Sequence, residues 1–245
     1  MSFKRTTSTA GRVLRQLRHD PRTMALILFM PTVLMILLKF VFENQTAAFT
    51  NIAPVLLGLF PFILMMVVTS IATLRERTAG TLERLMTMPM SKIDFIGGYA
   101  VAFAILAIAQ GTLVGSVTLG FLGLTVAGGA FKLLIVAGSS GLLGMSLGLF
   151  FSAFAQSEFQ AVQFMPAFAF PQLLTCGLLV PRDQMAKGLQ WFSDIMPLTY
   201  IVDGMKQVTL YSTWTHDLIR DLTIVAVCTL GALVLGAATL RRSHK

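Results

Sequence analysis

Six apolar runs, each long enough to cross a hydrocarbon layer, leave this chain few ways to fold. They occupy about residues 24–42, 52–74, 95–119, 131–154, 160–180 and 218–240. A bilayer core roughly 30 Å thick takes about 20 helical residues at 1.5 Å each. That core holds no water, so every backbone N–H and C=O must be paired within the segment, and such runs become helices. Only 12% of the residues are charged and 55% are hydrophobic, whereas a soluble domain carries about 25% charged residues. The expected fold is an all-α integral membrane protein with six transmembrane helices. A single transmembrane domain covers 1–245, with 1–22 before the spans and 24–240 holding them, and no room for a separate soluble domain.

Charge orients this bundle. Lys4, Arg5, Arg12, Arg15, Arg18 and Arg22 precede the first run. Arg75, Arg77, Arg84 and Lys92 lie between the second and third, and Arg241, Arg242 and Lys245 follow the sixth. Six spans put all three groups on one side, which then holds thirteen of the nineteen Lys and Arg. Basic loops stay in the cytoplasm. Both termini and the 75–92 loop are therefore expected there, in a multi-pass protein of the cell membrane. Anionic headgroups account for the net charge of +8 without any nucleic acid partner. The first run lacks a small-residue cleavage site and reads as an uncleaved span rather than a signal peptide.

Residues 10–20, AGRVLRQLRHD, set Val13, Leu14 and Leu17 on one helical face with Arg12, Arg15 and Arg18 around the rest. This is a short basic amphipathic helix suited to the membrane surface. Two spans carry small residues every fourth position: Ala107, Gly111 and Gly115 in the third, and Ser140, Gly144, Gly148 and Ser152 in the fourth. Such rows let helix backbones approach closely, and packing within the subunit is the simpler use of them. Polar groups within spans are few. Gln110 lies in the third, Gln160 and Gln163 share a face with Gln156 at the start of the fifth, and Lys39 is near enough to an end to snorkel. Hydrogen bonding between helices and lining of a pathway are equally open to these glutamines. No Asp, Glu or His lies deep in a run, which argues against an ion-coupled carrier.

After the fifth run, punctuated by Pro166, Pro171, Gly177 and Pro181, comes LQWFSDIMPLTYIVDGMKQVTLYSTW. This stretch is too broken to span and too apolar for an ordinary loop. It reads as two short re-entrant or interfacial helices meeting near Pro197, with Asp203 and Lys206 spaced to pair with each other. Catalytic chemistry is absent. His19, His216 and His244 fall at opposite ends, Cys176 and Cys228 read as buried thiols, and no metal motif or phosphate-binding Gly-rich loop occurs. The chain is not expected to be an enzyme or to bind a cofactor or metal.

One polar segment interrupts the apolar pattern: RERTAGTLERLMTMPMSK, residues 75–92. Leu82, Leu85 and Met86 recur at helical spacing after a Gly80-Thr81 start, Pro89 blocks a long continuation, and Ser91 to Asp94 reads as a capping box. Spacing alone leaves this short helix lying on headgroups or docking in a partner's groove. The run Arg75-Glu76-Arg77-x-x-Gly80-Thr81-Leu82-Glu83-x-Leu85 followed by Pro89 resembles the cytoplasmic loop of type-2 ATP-binding-cassette (ABC) exporter permeases. Glu158-x-Gln160, Pro171, Gly177, Pro181 and Pro197-Leu198-x-Tyr200 continue the likeness along the whole chain. Where that family usually places Arg six residues after the Tyr, this sequence has Lys206.

The resemblance, which leans toward the drug-resistance branch, implies a dimeric membrane unit above two separately encoded ATPase subunits that hold the ATP and Mg. It implies that the N-terminal interface helix and the first cytoplasmic loop carry nucleotide-driven movement into the spans. Glu76, Gly80, Thr81, Leu82, Glu83, Leu85 and Met86 are then the ATPase-coupling residues. Pro197, Tyr200 and Lys206 belong to re-entrant helices at the outer gate, and Gln110, Gln160 and Gln163 are pathway candidates. The second permease copy makes a homodimer or a heterodimer. An amphiphilic drug, antibiotic or lipid is the first choice of cargo and a cell-surface glycan the second. A self-sufficient carrier and a non-transporting membrane anchor are the other readings.

Overall fold

The computed structural model describes residues 3–78 and 92–239. Among the described residues there are nine α-helices, one short 3-10 turn and no strand. The first, α1 (Phe3–Arg18), starts earlier than the 10–20 segment suggests, because Thr6, Thr9 and Ala10 extend the buried stripe of Val13 and Leu17 by two turns. Asp20 ends the short break that follows. It caps α2 (Pro21–Val41), accepting from the Thr23 amide at 3.2 Å and the Thr23 hydroxyl at 2.6 Å. Those bonds, the hydroxyl's above all, hold its carboxyl below the usual carboxylate range. Pro21 at the first helical position needs no amide partner there.

The longer helices continue with α3 (Thr46–Thr78), α4 (Lys92–Gly120), α5 (Gly129–Ser152), α6 (Glu158–Thr175) and α9 (His216–Thr239). At 1.5 Å per residue α3 is about 50 Å long, more than the hydrocarbon needs, so its last turns project beyond it. Among the described residues five helices, α2, α3, α4, α5 and α9, are long and apolar enough to cross a membrane. α6 is not among them. Its 18 residues include Gln160, Gln163, Gln172, Pro166 and Pro171. It also stops at Thr175, short of 180, and Gly177 then takes a left-handed turn at φ +82° that favours glycine. Between α6 and α9 lie the two short helices expected there, α7 (Lys187–Ile195) and α8 (Pro197–Leu210), with Pro197 at the first position of α8.

The centre of the bundle is a seam between α3 and α5. The Ser140 hydroxyl donates to the Gly58 carbonyl. A Cβ on Gly144 would overlap the Phe62 carbonyl oxygen, and one on Gly148 would overlap that of Met66. Partners advance together by four residues on both helices, so α3 and α5 run parallel. Against α4 the numbers run oppositely: Gly141 meets Ala107, and Gly111 meets Ala137. That pair is antiparallel. Both small-residue rows are thus used inside the subunit. With no hydrophobic drive between helices in lipid, such close approach is what holds them together. α8 packs into the same core, burying Leu198, Ile201, Val202, Met205 and Val208.

Candidate functional site

Two polar clusters stand at opposite ends of the bundle. At the end that carries α1, the last turns of α3 place Glu76 in protein, 4% exposed. Arg12 of α1 meets it with both guanidinium arms, NH1 to Oε1 at 2.9 Å and NH2 to Oε2 at 3.2 Å. The same NH2 lies 3.4 Å from the Tyr99 hydroxyl of α4. Three helices therefore converge on one carboxylate, in the forked geometry that suits Arg. Arg12 was expected to face lipid headgroups with the other arginines; it turns inward because a buried carboxylate without a cation is far costlier than a partly buried guanidinium. The neighbouring Arg75 points another way and grips Glu158 at the start of α6, at 2.7 and 3.0 Å. So the end of α3, just before residues 79–91, is tied to α1, α4 and α6 at once. Gly80, Thr81, Leu82, Glu83, Leu85 and Met86, with Pro89 and Ser91, lie outside the described residues.

At the other end, Arg182 organises the stretch between α6 and α8. Its NH1 donates to Asp203 at 2.7 Å and its NH2 to Asp194. The expected pairing of Asp203 with Lys206 is not formed. A planar guanidinium bridges two carboxylates where an ammonium on the same helix does not reach as well. Lys206 instead donates to the Gly177 carbonyl at 2.6 Å, fastening α8 to the turn that ends α6. The Tyr200 hydroxyl donates to the Asp194 carbonyl at 2.6 Å, and the Leu198 amide donates to Gln172 Oε1 at 3.2 Å. Pro197, Tyr200 and Lys206 thus share one joint. Burial pushes the Asp203 carboxyl above the usual range, against the pull of Arg182 and Lys206. These groups, with Asp183 and Gln190, line a polar pocket.

The glutamines separate. Gln110 is fully buried in α4, and neither atom of its amide has a hydrogen-bond partner among the described residues. Ser157 caps α6, its Oγ accepting from the backbone amide of Gln160 at 3.2 Å, and the Gln160 side chain reaches back so that its Oε1 accepts from the backbone amide of Gln156 at 2.8 Å. Gln163 is exposed on α6. Among the described residues α4 and α6 are not closely packed neighbours, and Gln110 sits apart from the other two. Sequence reasoning missed Arg12, Tyr99 and Arg182 as site residues, together with the buried hydroxyls of Thr69, Ser70 and Thr73. Those hydroxyls have no hydrogen-bond partner among the described residues and lie within two turns of Glu76.

Comparison with known proteins adds a second line. The family model for the ABC-2 type transporter matches residues 6–210. "ABC transporter G family member 20" of Dictyostelium discoideum is 25% identical over 177 residues, 72% of this chain and 24% of that protein. "Probable multidrug ABC transporter permease YbhR" of Escherichia coli K12 is 29% identical over 159 residues, 65% of this chain and 43% of that one. "Inner membrane transport permease YhhJ" of the same organism is 26% identical over 168 residues, 67% and 44% respectively. The chain spans about a quarter of the first relative's length and under half of the other two.

Proposed function

This chain belongs to the ABC-2 type transporter family, and from that membership we propose that it is the permease subunit of an ATP-driven exporter. Two copies of a separate ATPase subunit hold the ATP and Mg and hydrolyse the nucleotide beneath a pair of permease copies, identical or not. The subunit has six spans, α6 being the fifth, in the cell membrane with both termini in the cytoplasm. An amphiphilic drug, antibiotic or lipid leaves the cytoplasm or inner leaflet through it. The word "multidrug" in the name of one relative supports that cargo class. So does the scarcity of Trp and Tyr, two and three residues, on which a glycan route would stack.

The observation that carries the coupling role is the joint of Arg12, Glu76 and Tyr99. Residues 79–91, which include Gly80, Thr81, Leu82, Glu83, Leu85 and Met86, are the ATPase-docking surface, and Glu76 is the point where its movement enters α1, α3 and α4. The joint of Pro197, Tyr200 and Lys206 belongs to the outer gate, on re-entrant helices.

The test is co-purification with an ABC ATPase subunit from the same cell. The isolated chain hydrolyses no ATP, while the pair does. Leu82→Asp places a charge in the docking contact, where losing an apolar anchor costs a few kcal/mol, so pull-down and export are both lost while membrane insertion is kept. Survival of both activities in Leu82→Asp removes the docking assignment.

A further inference from the structure

The polar pocket beside α8 is short of one positive charge. Asp183, Asp194 and Asp203 line it against Arg182 and Lys206, in a cavity of about 380 Å³. The single guanidinium is divided, one arm to Asp203 on α8 at 2.7 Å and the other to Asp194 on α7. Lys206 donates to the Gly177 carbonyl. α9 does not make up the deficit, because Arg220 is itself shared between Asp217 at 3.5 Å and Asp221 at 3.0 Å. Asp221 is 1% exposed, and its Oδ2 has no hydrogen-bond partner among the described residues. It also lies within the field of Asp203. Like charges set close together away from water favour protonation of one of them.

We propose that Asp203 is a proton-binding site, and that the joint of α7 and α8 closes with the proton bound and parts when it leaves. Asp203 rather than Asp221 takes the proton because its side chain lines the pocket and is one-quarter exposed, so water reaches it. A proton fits better than a metal ion: among the described residues no three acidic, His or Cys side chains converge as metal ligands would. The groups around Asp203 are Tyr200 and Lys206 on its own helix, Arg182, Asp194 of α7, and Arg220 and Asp221 of α9, with the Cys176 thiol at the end of α6. α3 has no ionisable group along 46–74, and Glu158 of α6 is at the far end with Arg75. Lys132 of α5 is held by the Ser212 carbonyl, and Lys187 of α7 is exposed. A neutral carboxyl tolerates the cover of α7, whereas an ionised one gains water as α7 draws back. Linkage is reciprocal, so closing the joint draws in a proton and opening it releases one. The gate role of that movement rests on the transport reading above; the proton site does not.

The test reads the joint and not transport. The full chain in detergent is melted across a range of pH beside Asp203→Asn, whose amide takes no proton. Burial holds the Asp203 carboxyl above its ordinary value in the folded chain, so the folded form binds the proton more tightly than the unfolded one. Stability from this group is gained as pH falls through the raised value and is complete below the ordinary one, about 3.9. The melting temperature of the unaltered chain, relative to Asp203→Asn, therefore rises on acidification. Movement is read at Ser193→Cys, a position fully covered between α7 and α8. Its rate of maleimide labelling, corrected for the parent chain and divided by that of exposed Ser212→Cys, falls as the buffer is acidified. With Asp203→Asn added, that ratio loses its pH dependence. Should Ser193→Cys fail to fold, the melting comparison decides alone. A relative melting temperature that stays level or falls on acidification overturns the site, and a labelling ratio with the same pH dependence in both backgrounds overturns the closure. A response that vanishes in chelator and returns with calcium or magnesium assigns the pocket to a metal cation and overturns the proton.

Discussion

At the scale of the residue, what matters at Glu76 is its burial. A buried carboxylate that loses its cation keeps the full desolvation cost, and breaking such a pair costs about 3–5 kcal/mol. Arg12 is itself one-third exposed, so Arg12→Ala should fall near the lower figure. Glu76→Gln removes the charge rather than stranding it and should cost less. In the double variant the losses should not add, because the second change removes the charge that the first leaves unpaired. Thermal denaturation of the four chains in detergent checks this, and simple additivity would show that the two groups do not interact. Tyr99→Phe removes a buried hydroxyl that sits with both Arg12 and Glu76 and should cost about 1.5–3 kcal/mol. At the other end, Arg182→Ala leaves Asp194 and Asp203 both unpaired, whereas Lys206→Ala frees one carbonyl. The first should lower the melting temperature more than the second.

At the scale of the element, the sign of a substitution depends on the glycine. Gly144→Ala drives a methyl group into the Phe62 carbonyl, and overpacking of this kind costs about 1–3 kcal/mol. Gly138, on the same helix, has open space where its Cβ would be. Gly138→Ala should therefore stabilise by up to about 1 kcal/mol through helix propensity alone. Opposite shifts in the melting temperature of the two variants are expected. The four-residue rows that contain these contacts were legible in the sequence, because a helix repeats on itself and small residues in register need no partner to be seen. The apolar runs and the break at Pro197 were legible for the same local reason. Arg12 was not, since its partners stand 64 and 87 residues away and spacing carries no information at that range. Asp203 and Lys206 failed in the opposite way: a local rule paired them, and Arg182, 21 residues from Asp203, made the better contact. α6 ended early because Gly177 turns the chain before the apolar run is finished.

At the scale of the whole molecule, the topology fixes which loops share a side. The turn after α2, the stretch between α8 and α9, and α7 stand at one end, and α1 with the α5–α6 turn stands at the other. In intact cells a membrane-impermeant maleimide should label Glu43→Cys and Ser212→Cys, both exposed, and leave exposed Gln156→Cys unlabelled until the membrane is opened. Labelling of all three, or of Gln156→Cys alone, would invert or break the proposed orientation. The parallel seam has a further consequence, for how the protein is made. Gly58 and the Ser140 that closes on it are 82 residues apart. At a synthesis rate of about 5–20 residues per second, α3 waits about 4–16 s for its partner to leave the ribosome. Neighbouring helices that form hairpins need no such delay. Until α5 is made, the surface around the carbonyls of Gly58, Phe62 and Met66 lacks the helix that covers it in the folded subunit. Lipid or insertion machinery is left to occupy that surface until translation reaches residue 152.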